Sequence, residues 1–125
     1  MLTTSEIESY REDGFVIPRH FRLSETELER LRDAVDSVIS TNPDTPTDFL
    51  FNVHLDRLPP LRLVGHSAFS TLVTDDNILD MVEQLIGPAI INCATHLFCK
   101  QATTGRAVPW HQDGQYWPIR PLRTC

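Results

Sequence analysis

An α+β fold is predicted by three features of the chain. Two segments open with the same helix-start device, Thr3 with Glu6 and Ser24 with Glu27. A third carries an apolar stripe closed by Gly87-Pro88, and the run from Ala89 to Lys100 alternates in the manner of a strand. In a capping box the hydroxyl takes the N3 amide while the N3 carboxylate returns to the cap amide. Two backbone donors that no helix can satisfy internally are thereby satisfied.

The first helix is predicted to start after Thr3, with Leu2 and Ile7 as its hydrophobic staple, and to run to about Asp13. Gly14 follows as the residue that accepts a left-handed cap. Phe15-Val16-Ile17-Pro18 reads as a short strand ended by proline. The second helix, flanked by Leu23 and Leu28, places Leu28, Leu31, Val35, Val38 and Ile39 on one stripe. Glu29, Arg30, Arg32 and Asp33 lie off it, the pattern of a surface helix packed on an apolar layer. Thr41 to Asp48 is turn material, Phe49 to Leu55 a strand, and Leu58-Pro59-Pro60 a break. Asp75 or Asp76 then caps a third helix bearing Ile78, Val82, Leu85 and Ile86.

On the strand from Ala89 to Lys100, Ile91, Cys93, Thr95, Leu97 and Cys99 share one face. Asn92, Ala94, His96, Phe98 and Lys100 share the other. That second face fits a sheet bordering a polar cavity and fits equally a strand with one solvated side. Gln101 to Arg106 is a loop, and another strand carries His111. No repeat or second domain is visible, and 125 residues are one domain's worth of chain.

Hydrophobic residues at 41% and charged residues at 22% describe an ordinary globular composition. A net charge of -6 argues against nucleic acid or an anionic membrane as the main partner. The charge does not identify a substrate, and the sequence carries no signal of oligomeric state. The three cysteines, Cys93, Cys99 and Cys125, form no C-x-x-C. Their odd count favours a reducing compartment, with Cys93 and Cys99 as small buried hydrophobes. No signal segment and no membrane-length apolar run is present, so a cytoplasmic location is expected.

The chemistry concentrates in Trp110-His111-Gln112-Asp113-Gly114-Gln115-Tyr116-Trp117. On an extended strand His111 and Asp113, two apart, point to one side and can converge on one cation. An imidazole and a carboxylate so placed match two of the three protein ligands of a 2-His-1-carboxylate iron site. Trp110, Tyr116 and Trp117 beside them can wall off water. The same residues also fit a plain turn, with Asp113 opening it at Gly114 and His111 bonded to nearby backbone.

The run from Trp110 through Leu122, with Tyr10-Arg11-Glu12-Asp13-Gly14-Phe15-Val16-Ile17 and Leu85-Ile86-Gly87-Pro88, resembles the phytanoyl-CoA dioxygenase family of Fe(II)- and 2-oxoglutarate-dependent oxygenases. The resemblance implies N-terminal helices packed on the first strands of an incomplete double-stranded β-helix, a cupin-like jelly roll. It implies His111 and Asp113 as iron ligands, and Gln112, His96 and Asn52 as positions near 2-oxoglutarate. The substrate would be a small organic molecule or an acyl-CoA. The family also uses a second ligand His and an Arg for the distal carboxylate, both downstream of H-x-D. No His follows Asp113 here, and Arg120 and Arg123 follow it too closely. His20, His54, His66 and His96 all precede the pair, the reverse of the family's order, and only His96 lies on a strand facing the same expected cavity. The expectation is therefore a single, C-terminally truncated domain that is inactive alone. The alternative is a non-catalytic fragment that binds a partner through its exposed strand edge and aromatic cluster. A redox-inert divalent ion such as Zn²⁺ on His111 and Asp113 is a third.

Overall fold

The computed structural model describes residues 1–56, 63–103, 105 and 107–112. Among these residues, four α-helices and one two-stranded ribbon are arranged in the order α1 (Thr4–Asp13), α2 (Glu25–Thr41), a 3₁₀ turn (Thr47–Phe49), β1 (Leu50–Phe51), α3 (Ser67–Val73), α4 (Asp76–Ile86) and β2 (His96–Leu97). This is a mixed helix and antiparallel-strand composition, as the sequence predicts at the level of class.

Both capping boxes form. Thr3 caps α1 and Ser24 caps α2, each through its hydroxyl and the returning carboxylate of Glu6 or Glu27. Gly14 ends α1 at φ 81°, a left-handed conformation in which a Cβ would be strained, and its amide bonds to the Tyr10 carbonyl at 2.9 Å. Asp75 caps α4 by accepting from the amides of Asn77 and Ile78, and Gly87 closes it.

The core is a cluster built from Ala34 and Val38 of α2, Leu50 of β1, Val53, Leu63, and Ala68 and Phe69 of α3. Leu31, Val35, Ile39, Leu97 and Cys99 pack around it. Asn42, buried at the end of α2, stitches this layer together. Its Nδ2 donates to the Val38 and Val64 carbonyls at 2.7 and 2.9 Å, while its Oδ1 accepts from the Val64 amide at 2.8 Å. Leu2 and Met81 are buried outside this cluster, where α1 meets α4. There Gln84 clamps the Leu2 backbone, accepting from its amide at 2.6 Å and donating to its carbonyl at 3.0 Å.

Several expected elements differ. Phe15 to Pro18 is not a strand: Phe15 and Ile17 are exposed, and the run has no ladder partner among the described residues. Apolar content does not make a strand without a partner for its amides. The expected strand Phe49–Leu55 shrinks to Leu50–Phe51 because Asn52 turns left-handed, at φ 59°. Ala89–Lys100 shrinks to His96–Leu97. Ile91 and Cys93 are exposed, so Cys93 is not a core residue. Cys99 does pack on the core, and burial pushes its thiol pKa up. The segment 107–112 is neither strand nor buried. The predicted break at Leu58-Pro59-Pro60 lies outside the described residues. Helix α3 is unforeseen: its cap is His66, whose Nδ1 accepts from the Ala68 amide, and its seven residues bury only two.

Candidate functional site

The ribbon places the candidate residue His96 on β2 and Asn52 just past the end of β1. Leu50 pairs with Leu97 and Phe51 with His96 in antiparallel register. Side chains alternate across it, so Leu97 and Cys99 turn to the core while His96 turns to the other face. There the imidazole lies against three phenylalanines. Phe49 and Phe51 meet it edge-on, at 5.4 and 5.6 Å between centroids, and Phe98 lies over it at 3.8 Å and 33°. Phe49 and Phe98 remain 58% exposed. His96 Nε2 is buried and has no hydrogen-bond partner among the described residues. A buried unpaired nitrogen of this kind is costly and calls for an explanation.

Asn52 binds both backbone groups of Thr95. Its amide donates to the Thr95 carbonyl at 2.6 Å, and its Oδ1 accepts from the Thr95 amide at 3.3 Å. The Thr95 hydroxyl in turn meets His54 Nδ1 at 2.8 Å. His54 and Thr95 are partners that sequence reasoning did not single out. The Phe49-x-Phe51 and His96-x-Phe98 alternations were the available signal for the aromatic cluster.

His111 and Gln112 lie on the exposed segment 107–112, and Trp110 there is 105% exposed. Trp110 is thus no wall around His111. Tyr116 and Trp117 lie outside the described residues, as does Asp113, so the same-face argument for the His111 and Asp113 pair has no strand beneath it at His111. The His111 Nδ1–H donates to the Pro109 carbonyl at 2.8 Å. In the neutral ring this leaves the lone pair on Nε2, the form that a metal-ligating imidazole takes when a carbonyl holds its other nitrogen. The residue therefore fits a metal ligand in tautomer. Among the described residues no three His, Cys, Asp or Glu side chains are grouped to hold a metal ion.

A separate groove of about 470 Å³ opens between the turn at 43–48 and the segment after β2, lined by Asp44, Thr47, Cys99 and Lys100 among others. None of the four candidate residues that the structure describes, Asn52, His96, His111 and Gln112, lines it. No helix among the described residues is long and apolar enough to cross a membrane.

The model of the family described as phytanoyl-CoA dioxygenase (PhyH) matches residues 10–125. The chain belongs to the phytanoyl-CoA dioxygenase family. The match covers the last residues of α1, helices α2 to α4, the ribbon and the H-x-D segment together, so the likeness read from the motifs extends along the chain. Membership in the phytanoyl-CoA dioxygenase family supports an Fe(II)/2-oxoglutarate-dependent oxygenase-like function acting on a small molecule. Neither curated proteins nor solved structures yield a significant match.

Proposed function

We propose that residues 1–125 carry part of an Fe(II)- and 2-oxoglutarate-dependent oxygenase site, with His111 and Asp113 as two iron ligands. The observation that carries this reading is the family match across residues 10–125. It is supported by the Nδ1–H of His111 donating to Pro109, which puts the ring lone pair on Nε2. When bound, Fe(II) would supply the activation of O₂, one oxygen atom of which enters succinate as 2-oxoglutarate loses CO₂ while the other oxidises a substrate C–H bond.

The chain's own residues would bind and orient. The Pro109 carbonyl fixes the His111 tautomer, and Asp113 brings the negative charge that a divalent cation needs. Gln112 and His96 are proposed to face 2-oxoglutarate. The β1–β2 ribbon is proposed as the beginning of a double-stranded β-helix, and its phenylalanines exclude water beside His96. The substrate is proposed to be a small organic molecule or an acyl-CoA. A complete site of this class also needs a second His and a carboxylate-binding Arg. Residues 1–125 alone are therefore proposed to bind metal weakly and to be inactive.

Titration of the 125-residue chain with Mn(II) as a stand-in for Fe(II) tests this reading. His111→Ala and Asp113→Ala should each weaken binding by about tenfold or more. Succinate formation from 2-oxoglutarate by the wild-type chain would overturn the partial-site reading.

A second reading, a non-catalytic fragment that binds a partner, is favoured by the exposure of Trp110, Phe49 and Phe98. A monodisperse monomer that takes up no divalent metal would favour it over the first.

A further inference from the structure

Of the two ribbon residues that the sequence associates with 2-oxoglutarate, Asn52 has its side-chain oxygen committed to the backbone. Asn52 sits at φ 59°, so its backbone carbonyl leaves the ladder and accepts instead from the Leu55 amide at 3.0 Å. The next pair in the register, residue 52 with residue 95, would thereby lose an acceptor. The Asn52 carboxamide supplies it: Oδ1 receives the Thr95 amide, and the Asn52 amide returns to the Thr95 carbonyl. A side chain thus extends the two-residue ladder by one more pair.

The opposite end is closed in a similar way. The Thr47 carbonyl accepts from the Cys99 amide at 3.0 Å, and the Thr47 hydroxyl donates to the Cys99 carbonyl at 3.0 Å. Burial alone would fix this register poorly. Both faces of 95–99 are largely apolar, Leu97 and Cys99 on one side and Phe98 with His96 on the other. A slip by one residue would exchange the faces and send His96 into the core.

We propose that Asn52 is a positioning residue rather than a co-substrate contact. By locking Thr95 it holds His96 opposite Phe51 and on the outer, phenylalanine-lined face. The Thr95 hydroxyl, held by His54, stiffens the same joint. The assignment of His96 to 2-oxoglutarate rests on the function proposed above; the lock itself does not.

The test is NMR of the 125-residue chain and its Asn52 variants, with 2-oxoglutarate as probe. In the wild type the His96 ring proton resonances are shifted by the Phe98 ring stacked on it. Asn52→Gly accepts the positive φ but lacks the acceptor, so that shift is lost and Thr95 amide exchange accelerates. Asn52→Asp keeps an acceptor, so the shift is retained. Its introduced carboxylate titrates below the usual value near ~3.9, because the Thr95 amide stabilises the charged form. If Asn52→Gly fails to fold, the titration of Asn52→Asp decides alone, and an unshifted carboxylate overturns the proposal. An unchanged His96 resonance in a folded Asn52→Gly overturns it too, and weaker 2-oxoglutarate binding with that resonance unchanged would make Asn52 a direct contact. A His96 response to 2-oxoglutarate in the wild-type chain supports its co-substrate role, while the variants decide the lock whichever way that comparison falls.

Discussion

Glu6 is buried and charged, and its surroundings explain why both are compatible. One carboxylate oxygen accepts from the Thr3 amide at 2.7 Å and the Thr3 hydroxyl at 2.8 Å; the other accepts from the Arg19 amide at 2.8 Å. These donors, the Thr3 amide foremost and then the Arg19 amide, hold its pKa down to about 2 from the usual 4.5, against the opposing effect of burial. The same side chain therefore caps α1 and ties in the chain thirteen residues later. Its folded pKa lies below its unfolded one, so its stabilisation is complete above about pH 4.5 and is lost as pH falls toward about 2. Glu27 is lowered in the same direction, chiefly by the Ser24 hydroxyl. Glu6→Gln should flatten the loss of stability across that window, measured as urea midpoints at a series of pH values. An acid limb as steep as that of the wild type would count against this account. Asn42 shows the same economy without charge: one carboxamide satisfies both backbone groups of Val64.

At the scale of elements, the joint between the 52–55 turn and α3 is set by Gly65. Its amide bonds to the Leu55 carbonyl at 3.1 Å, and His66 bonds to the Val53 carbonyl at 2.8 Å, so two stretches of backbone run against each other. A Cβ on residue 65 would overlap the carbonyl oxygens of Leu55 and Val53, which are backbone and cannot swing aside. Gly65→Ala should therefore destabilise the chain by about 2–3 kcal/mol, in the range of an overpacked core. Denaturant unfolding followed by fluorescence would show it. A change within about 0.5 kcal/mol, typical of neutral surface substitutions, would mean that the joint opens freely.

At the scale of the whole molecule, the buried apolar residues among those described form two groups. The main cluster joins α2, β1 and α3, whereas α1 docks on α4 through Leu2, Met81 and the Gln84 clamp. The second group has few buried side chains, which is the condition for local opening below the global unfolding free energy. Gln84→Ala removes two hydrogen bonds at about 1 kcal/mol each. Amide exchange in α1 should then accelerate by roughly tenfold or more, while Val38 and Leu50 amides stay protected. Equal acceleration in both groups would show a single cooperative unit.

The sequence by itself determined the elements whose signals are local. Capping boxes at Thr3 and Ser24, the Asp75 cap and the glycine stops at Gly14 and Gly87 act within a few residues, so α1 and α4 were legible with both ends and α2 with its start, whereas α2 runs on through Thr41, expected as turn material. The motif at 110–122 was legible too, because a family likeness resides in residue identity and the family match bears it out. Strand extent was not legible: whether Phe15–Ile17 or Ile91–Cys93 pairs depends on a partner far along the chain, and neither run finds one among the described residues. Nor was α3, whose cap is a histidine and whose buried pair shows no periodicity over seven residues. Only the tertiary structure decided that Asn52 spends its carboxamide on Thr95, that His96 faces three phenylalanines, and that Trp110 stands in solvent. Each of these depends on which distant residue is opposite, and no local pattern encodes that.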